Sequence, residues 1–184
     1  MRKISLIFLV ISSMASSQLR VGLDIKREVD IALLSLFGGG LPSPGGTGFN
    51  LGYEKTLLGL VGAGVEYAHS TDSGPIFKQE EGEELKTFMP SLLSGYAMAK
   101  FPLGLPMLRG VVRYGMTLPL EEGMKTGSMW SIGIRVKPPL LPLGGELTYS
   151  KHDLKVDSGG GDEMLGDALS ATGVRTNIAI IYTF

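Results

Sequence analysis

V-R-T-N-I-A-I-I-Y-T-F, residues 174–184, is the stretch whose reading decides the fold. In an extended chain successive side chains point to opposite faces. Val174, Thr176, Ile178, Ile180, Tyr182 and Phe184 therefore share one face, while Arg175, Asn177, Ala179, Ile181 and Thr183 share the other. The first face is apolar and ends in aromatics; the second carries a charge and an amide. A soluble sheet can alternate in this way. A strand that ends on an aromatic girdle is also what a lipid-embedded barrel needs, with hydrocarbon outside and a polar lumen inside.

Working outward from this strand, the same alternation recurs along the chain. L-R-V-G-L-D-I-K sets Leu19, Val21, Leu23 and Ile25 against Arg20, Gly22, Asp24 and Lys26. Its parity continues through Val29, Ile31 and Leu33 to Phe37 and is broken only by Arg27. Residues 19–37 are thus either one long strand or two pieces with a bend near Lys26 to Glu28. That parity places Lys26, Glu28 and Asp30 on the polar face. Phe49 to Lys55 and residues 59–70 read as a hairpin turning near Thr56 to Leu58, with Glu54 and Glu66 on its polar face. Residues 87–101 form a less regular strand, with Tyr96 and Met98 facing one way and Ala97, Ala99 and Phe101 the other. Leu108 to Leu118 sets Val112, Tyr114 and Met116 against Arg109 and Arg113, and Met129 to Lys137 sets Trp130, Ile132 and Ile134 against Ser131 and Arg135. From Gly145 to about Val156, Leu147 and Tyr149 oppose Glu146, Thr148, Ser150 and His152.

The connections alternate too. Those near 56–58, 102–106 and 138–144 are short and apolar or proline-bearing; those near 38–47, 71–86, 119–127 and 157–170 are mostly longer and polar. Such alternation is expected of an all-β, antiparallel, up-and-down transmembrane barrel of eight strands with both termini at the short-turn end. A soluble lipocalin-like barrel or sandwich is the alternative, with its apolar face turned inward. The chain's end resembles the C-terminal signature of bacterial outer-membrane barrels, which usually finish on Phe with alternate preceding positions apolar. Here those positions are Ile178, Ile180, Tyr182 and Phe184, and the resemblance implies that the outer-membrane assembly machinery reads them.

Composition bounds the compartment. Arg2 and Lys3, the apolar Ile4 to Ile11, and the small Ala15 and Ser17 read as an export signal, residues 1–17, cut before Gln18. Residues 18–184 then form the barrel domain, bound for the outer membrane of a Gram-negative-type bacterium. Without the leader the net charge is −3, which is no nucleic-acid profile. There is no Cys, which excludes disulfides, thiolate metal sites and a lipidated cysteine.

The polar faces nominate a lumen charge network of Arg20, Asp24, Glu54, Glu66, Arg109, Arg113, Arg135, Glu146 and Arg175. An eight-stranded barrel is just wide enough for its own side chains to fill, so these charges are expected to pair across the lumen. Gly38 to Gly46 lacks the G-K-[ST] of a phosphate loop, and the Asp157 to Asp167 loop lacks a calcium-loop register. The acidic cluster Glu80, Glu81, Glu83 and Glu84 reads as solvated loop. No cofactor or metal is implied. Ser150, His152 and Glu146 offer acyl-transfer chemistry on one strand face, but in the order S-x-H and pointing inward. Similarity to the OmpA-like and porin-family small barrels implies a monomer among outer-membrane lipid and lipopolysaccharide. Its leading role is envelope structure or surface interaction; a narrow passive channel for small solutes comes second and a lipid A-modifying acyl hydrolase last. No peptidoglycan-binding segment follows the barrel pattern, so wall tethering is not implied.

Overall fold

The computed structural model describes residues 15–31, 47–71, 77–78, 86–87, 89–121, 124–156 and 171–184. Strands β1 (Ala15–Ile31), β2 (Gly48–Leu57), β3 (Val61–Ser70), β4 (Leu92–Pro102), β5 (Leu108–Pro119), β6 (Gly127–Val136), β7 (Leu143–Val156) and β8 (Ala171–Thr183) form one antiparallel sheet. Each pairs with the next along the chain, and β8 pairs with both β7 and β1. The sheet therefore closes into an eight-stranded, all-β, up-and-down barrel and leaves no unpaired edge. Short two-residue pairings, Phe77–Lys78 with Lys86–Thr87 and Met124–Lys125 with the end of β7, lie at the long-loop end. The glycine-rich run 38–46, the acidic cluster 80–84 and the loop 157–170 fall outside the described residues.

Which face is buried separates the membrane reading from the soluble one. Arg20, Asn50, Glu54, Arg113, Glu146 and Asn177 are buried inside, whereas Leu23, Ile25, Val65, Ile132 and Ile180 stand exposed on the outer wall. In water that arrangement would leave a continuous apolar girdle solvated. Tyr53, Tyr182 and Phe184 gather at the short-turn end of this wall, with Tyr53 and Tyr182 directly opposite Leu19 on either side of β1. Toward the long-loop end, Trp130 and Tyr149 meet at 5.7 Å and Phe49 and Tyr67 at 6.3 Å between ring centres.

β1 is one strand, and its pairing with β8 slips between Asp24 and Lys26. A β-bulge there adds one residue and inverts the parity that follows. Arg27 and Val29 are consequently buried, while Lys26 and Glu28 turn outward and pair at 2.8 Å. The expectation that Lys26 and Glu28 belong to the polar inner face is corrected by this bulge. The side chain of Asp30 and residues 32–37 lie outside the described residues.

The first hairpin also turns later than expected. β2 runs through Thr56, which is buried and hydrogen-bonded to Ser16, and the turn sits at Leu58 and Gly59. Both residues have positive φ, 53° and 67°, and Leu60 N donates to Leu57 O at 3.1 Å. Positive φ at both central positions matches the right-handed twist of the flanking strands. In β4 the facing resolves with Ser94, Tyr96, Met98 and Lys100 inside and Leu93, Ala97 and Phe101 outside. Phe101 lies over its cross-strand partner Gly110, where a Cβ would come within 2.3 Å of the ring.

Candidate functional site

The interior is built in tiers because alternate residues of every strand converge on one narrow axis. At the short-turn end, Lys100 Nζ and Arg135 Nη1 both donate to Gln18 Oε1, each at 2.6 Å. Above them Glu54 and Glu146 bind Arg113 and Arg135 together. Arg113 Nη2 reaches Glu54 Oε1 at 2.7 Å and Glu146 Oε1 at 2.8 Å. Arg135 Nη2 reaches Glu54 Oε2 at 2.8 Å, and its Nε reaches Glu146 Oε2 at 2.7 Å. Tyr96 closes one side: its hydroxyl donates to Glu54 Oε1 at 3.3 Å, and the Arg113 guanidinium lies 5.5 Å from its ring centre.

The next tier is centred on Arg20, from β1. Its guanidinium pairs with Glu66, donates to Glu146 Oε1 at 2.9 Å and to Asn50 Oδ1 at 3.1 Å, and reaches Asn177 Oδ1 at 2.6 Å. The planar fork lets one cation bind acceptors from four other strands. Toward the long loops, Arg175 grips Asp24 with Nε at 3.0 Å and Nη2 at 2.8 Å, and Arg27 approaches the same carboxylate at 3.6 Å. An apolar cluster of Val29, Ala68, Met89, Leu92, Leu154 and Ala171 then fills the lumen.

The structure thus brings Arg20, Asp24, Glu54, Glu66, Arg113, Arg135, Glu146 and Arg175 into one connected interior network. Arg109 does not join it. It is exposed at the short-turn mouth and donates to Gly59 O at 3.0 Å. Gln18, Arg27, Tyr96 and Lys100 join the interior contacts although alternation did not nominate them. Arg27 was signalled only by interrupting an apolar parity, and Lys100 by sitting on a strand whose two faces look alike.

Around that mouth, Gln18, Lys100, Arg109, Arg135 and Lys137 line a cavity of about 340 Å³. Partial burial, then Arg109 and Arg135, push the Lys137 ammonium below the usual lysine range.

Ser150 and His152 are not assembled for acyl transfer. Ser150 is half-buried, and His152 is fully buried with neither ring nitrogen hydrogen-bonded to a described group. A nucleophile and its base must be in hydrogen-bond reach. Among the described residues no His, Asp and Glu group is arranged to hold a metal ion. Ile178, Ile180, Tyr182 and Phe184 all project from the outer wall.

An apolar outer wall around a closed ring of strands with an ion-paired interior decides the architecture. The fold is that of a transmembrane β-barrel. A structure described as "De novo design of transmembrane beta-barrels" is similar at a TM-score of 0.53 and 11% identity, over 92% of this chain and 95% of that one. The crystal structure of Neisserial surface protein A is similar at a TM-score of 0.55 and 11% identity, over 92% of this chain and 97% of that one. No known protein family and no curated protein matches the sequence. The likeness is one of fold, and a barrel of this kind hosts several functions.

Proposed function

We propose that the chain is an envelope protein of the bacterial outer membrane whose barrel is a plugged anchor for its long loops. The observation that carries this reading is the interior network in which Glu54 and Glu146 are each held by both Arg113 and Arg135. Buried charges persist only when paired and hydrogen-bonded. Opening a path here requires separating several such pairs and displacing the apolar cluster beyond them. The export signal, the terminal aromatic pattern and the outward apolar wall support an outer-membrane location, with lipopolysaccharide and outer-membrane lipid around the wall and the assembly machinery reading the last strand. The chain is proposed to act as a monomer, because closure of β1 on β8 leaves no strand edge for a second copy. An inward Ser150–His152 face without a hydrogen-bonded pair gives the hydrolase reading no support.

The test is single-channel recording in planar bilayers with protein refolded in detergent, alongside Arg113→Ala. A silent wild type with a heat-modifiable barrel is the expected result. Discrete openings in the wild type, altered by Arg113→Ala, would put narrow passive transport in its place.

A further inference from the structure

Inside the barrel the guanidiniums of Arg20, Arg113, Arg135 and Arg175 each meet a carboxylate within 3.0 Å. The short-turn mouth breaks that pattern. Lys100, Arg109 and Lys137 line its cavity together with Arg135, and among the described residues no Asp or Glu lines it. Among the described residues, none of the first three makes an ion pair. Lys100 is 6% exposed, yet its Nζ donates to the neutral Gln18 Oε1 at 2.6 Å, an oxygen that Arg135 also approaches at 2.6 Å. Two cationic donors converge on one uncharged oxygen, in the geometry that an anionic oxygen would satisfy better. Arg109 is set by the β2–β3 turn, donating to Gly59 O, and Lys137 lies close enough to feel both Arg109 and Arg135.

From this cavity we infer a binding site for a phosphate-type polyanion at the short-turn mouth of the barrel. Concave walls of one sign focus the field and concentrate counter-ions. The cationic lining of Arg109, Arg135 and Lys137, with Lys100 behind them, calls for more than one negative charge, which a lone carboxylate does not supply. The guanidinium fork of Arg109 suits phosphate oxygens, and the two ammonium groups serve as point charges beside it. The cavity, about 340 Å³ with Ser16 in its lining, accommodates a diphosphate with its water, and removal of the expected leader before Gln18 takes away that Ser16 wall without touching the cations. The bound phosphate comes either from a soluble compound or from a lipid headgroup at the membrane surface. The site is independent of whether the lumen conducts, because it lies on the mouth side of the Glu54–Glu146 tier.

Inorganic pyrophosphate is titrated calorimetrically into the refolded chain in a neutral detergent at constant ionic strength, with Arg109→Gln/Lys137→Gln and Lys26→Gln for comparison. Arg109 is exposed and Lys137 half-buried, and neither belongs to the interior network, so the double variant is expected to fold; heat-modifiability verifies this. Saturable binding that weakens at least tenfold in the double variant, and is unchanged in Lys26→Gln at the opposite end, is the expected result. Absence of saturable binding, or equal binding by all three proteins, overturns the site. The titration is repeated in phosphatidylcholine vesicles with and without cardiolipin. Competition by cardiolipin identifies the headgroup as the source of the phosphate; undiminished binding identifies a soluble one.

Discussion

A carboxylate is worth very different amounts at two places in this molecule. Glu146 accepts from Arg20, Arg113 and Arg135, and its side chain is removed from solvent. Deleting it leaves Arg113 and Arg135 sharing Glu54 and Arg20 on Glu66 alone, all buried, and breaking a buried pair from one side costs about 3–5 kcal/mol. Glu28 also forms an ion pair, with Lys26 at 2.8 Å, but both side chains are about half exposed or more, at 46% and 64%. Exposed pairs contribute roughly 0–1 kcal/mol. Urea unfolding of the refolded protein should therefore show a large loss for Glu146→Ala and almost none for Glu28→Ala. Equal losses would mean that the tiers do not hold the barrel together. Sequence alternation assigned Glu146 inward because lipid enforces a period of two, yet it misplaced Glu28. Both glutamates fit a polar face, and the single extra residue between Asp24 and Lys26 is marked only by Arg27 interrupting the apolar parity, which does not say on which side of it the register slips.

At the level of elements, the strands and the proline-bearing turns near 102–106 and 138–144 were legible, and the centre of the first turn was not. Trp130, Ile132 and Ile134 could face only lipid or a core, so β6 followed from its residues; the first turn, T-L-L-G-L, carries one Gly and no Pro, Asn or Asp to fix its centre. The structure puts Leu58 at a φ of 53°, where an L-residue other than Gly, Asn or Asp pays about 1–2 kcal/mol against its Cβ. Asn-Gly is the preferred pair for such a turn. Leu58→Asn should accordingly stabilise the barrel by about 1 kcal/mol, read as a higher urea midpoint. An unchanged or lowered midpoint would show that the exposed Leu58 side chain contributes apolar contact with detergent or lipid that outweighs the strain. Cross-strand register was equally silent in the sequence: that Lys100 and Arg135 share the oxygen of Gln18 depends on three strands meeting at one height, which no local pattern records.

For the whole molecule the decisive event is closure, and the last strand takes part in two of the barrel's seams. β8 pairs with β7 from Leu143–Tyr182 to Leu154–Ala171 and with β1 from Gln18–Thr183 to Ile31–Ala171. Phe184 stands just beyond that ladder. Its backbone N–H donates to Ser17 O at 3.0 Å, and its ring meets Tyr182 at 6.0 Å and Tyr53 at 6.5 Å. Ser17 belongs to the leader expected to be removed before Gln18, so in the processed chain Phe184 would keep only the aromatic contacts. Such pairs contribute about 0.5–1.5 kcal/mol each, too little to decide whether the barrel forms. If the terminal pattern is read by the assembly machinery, deleting Phe184 should reduce heat-modifiable barrel in cell outer membranes severalfold. The same deletion should lower the unfolding free energy of detergent-refolded protein, read by urea titration, by only about 1–3 kcal/mol. Comparable losses in the two assays would assign Phe184 to stability, and intact insertion in cells would remove it from the assembly signal.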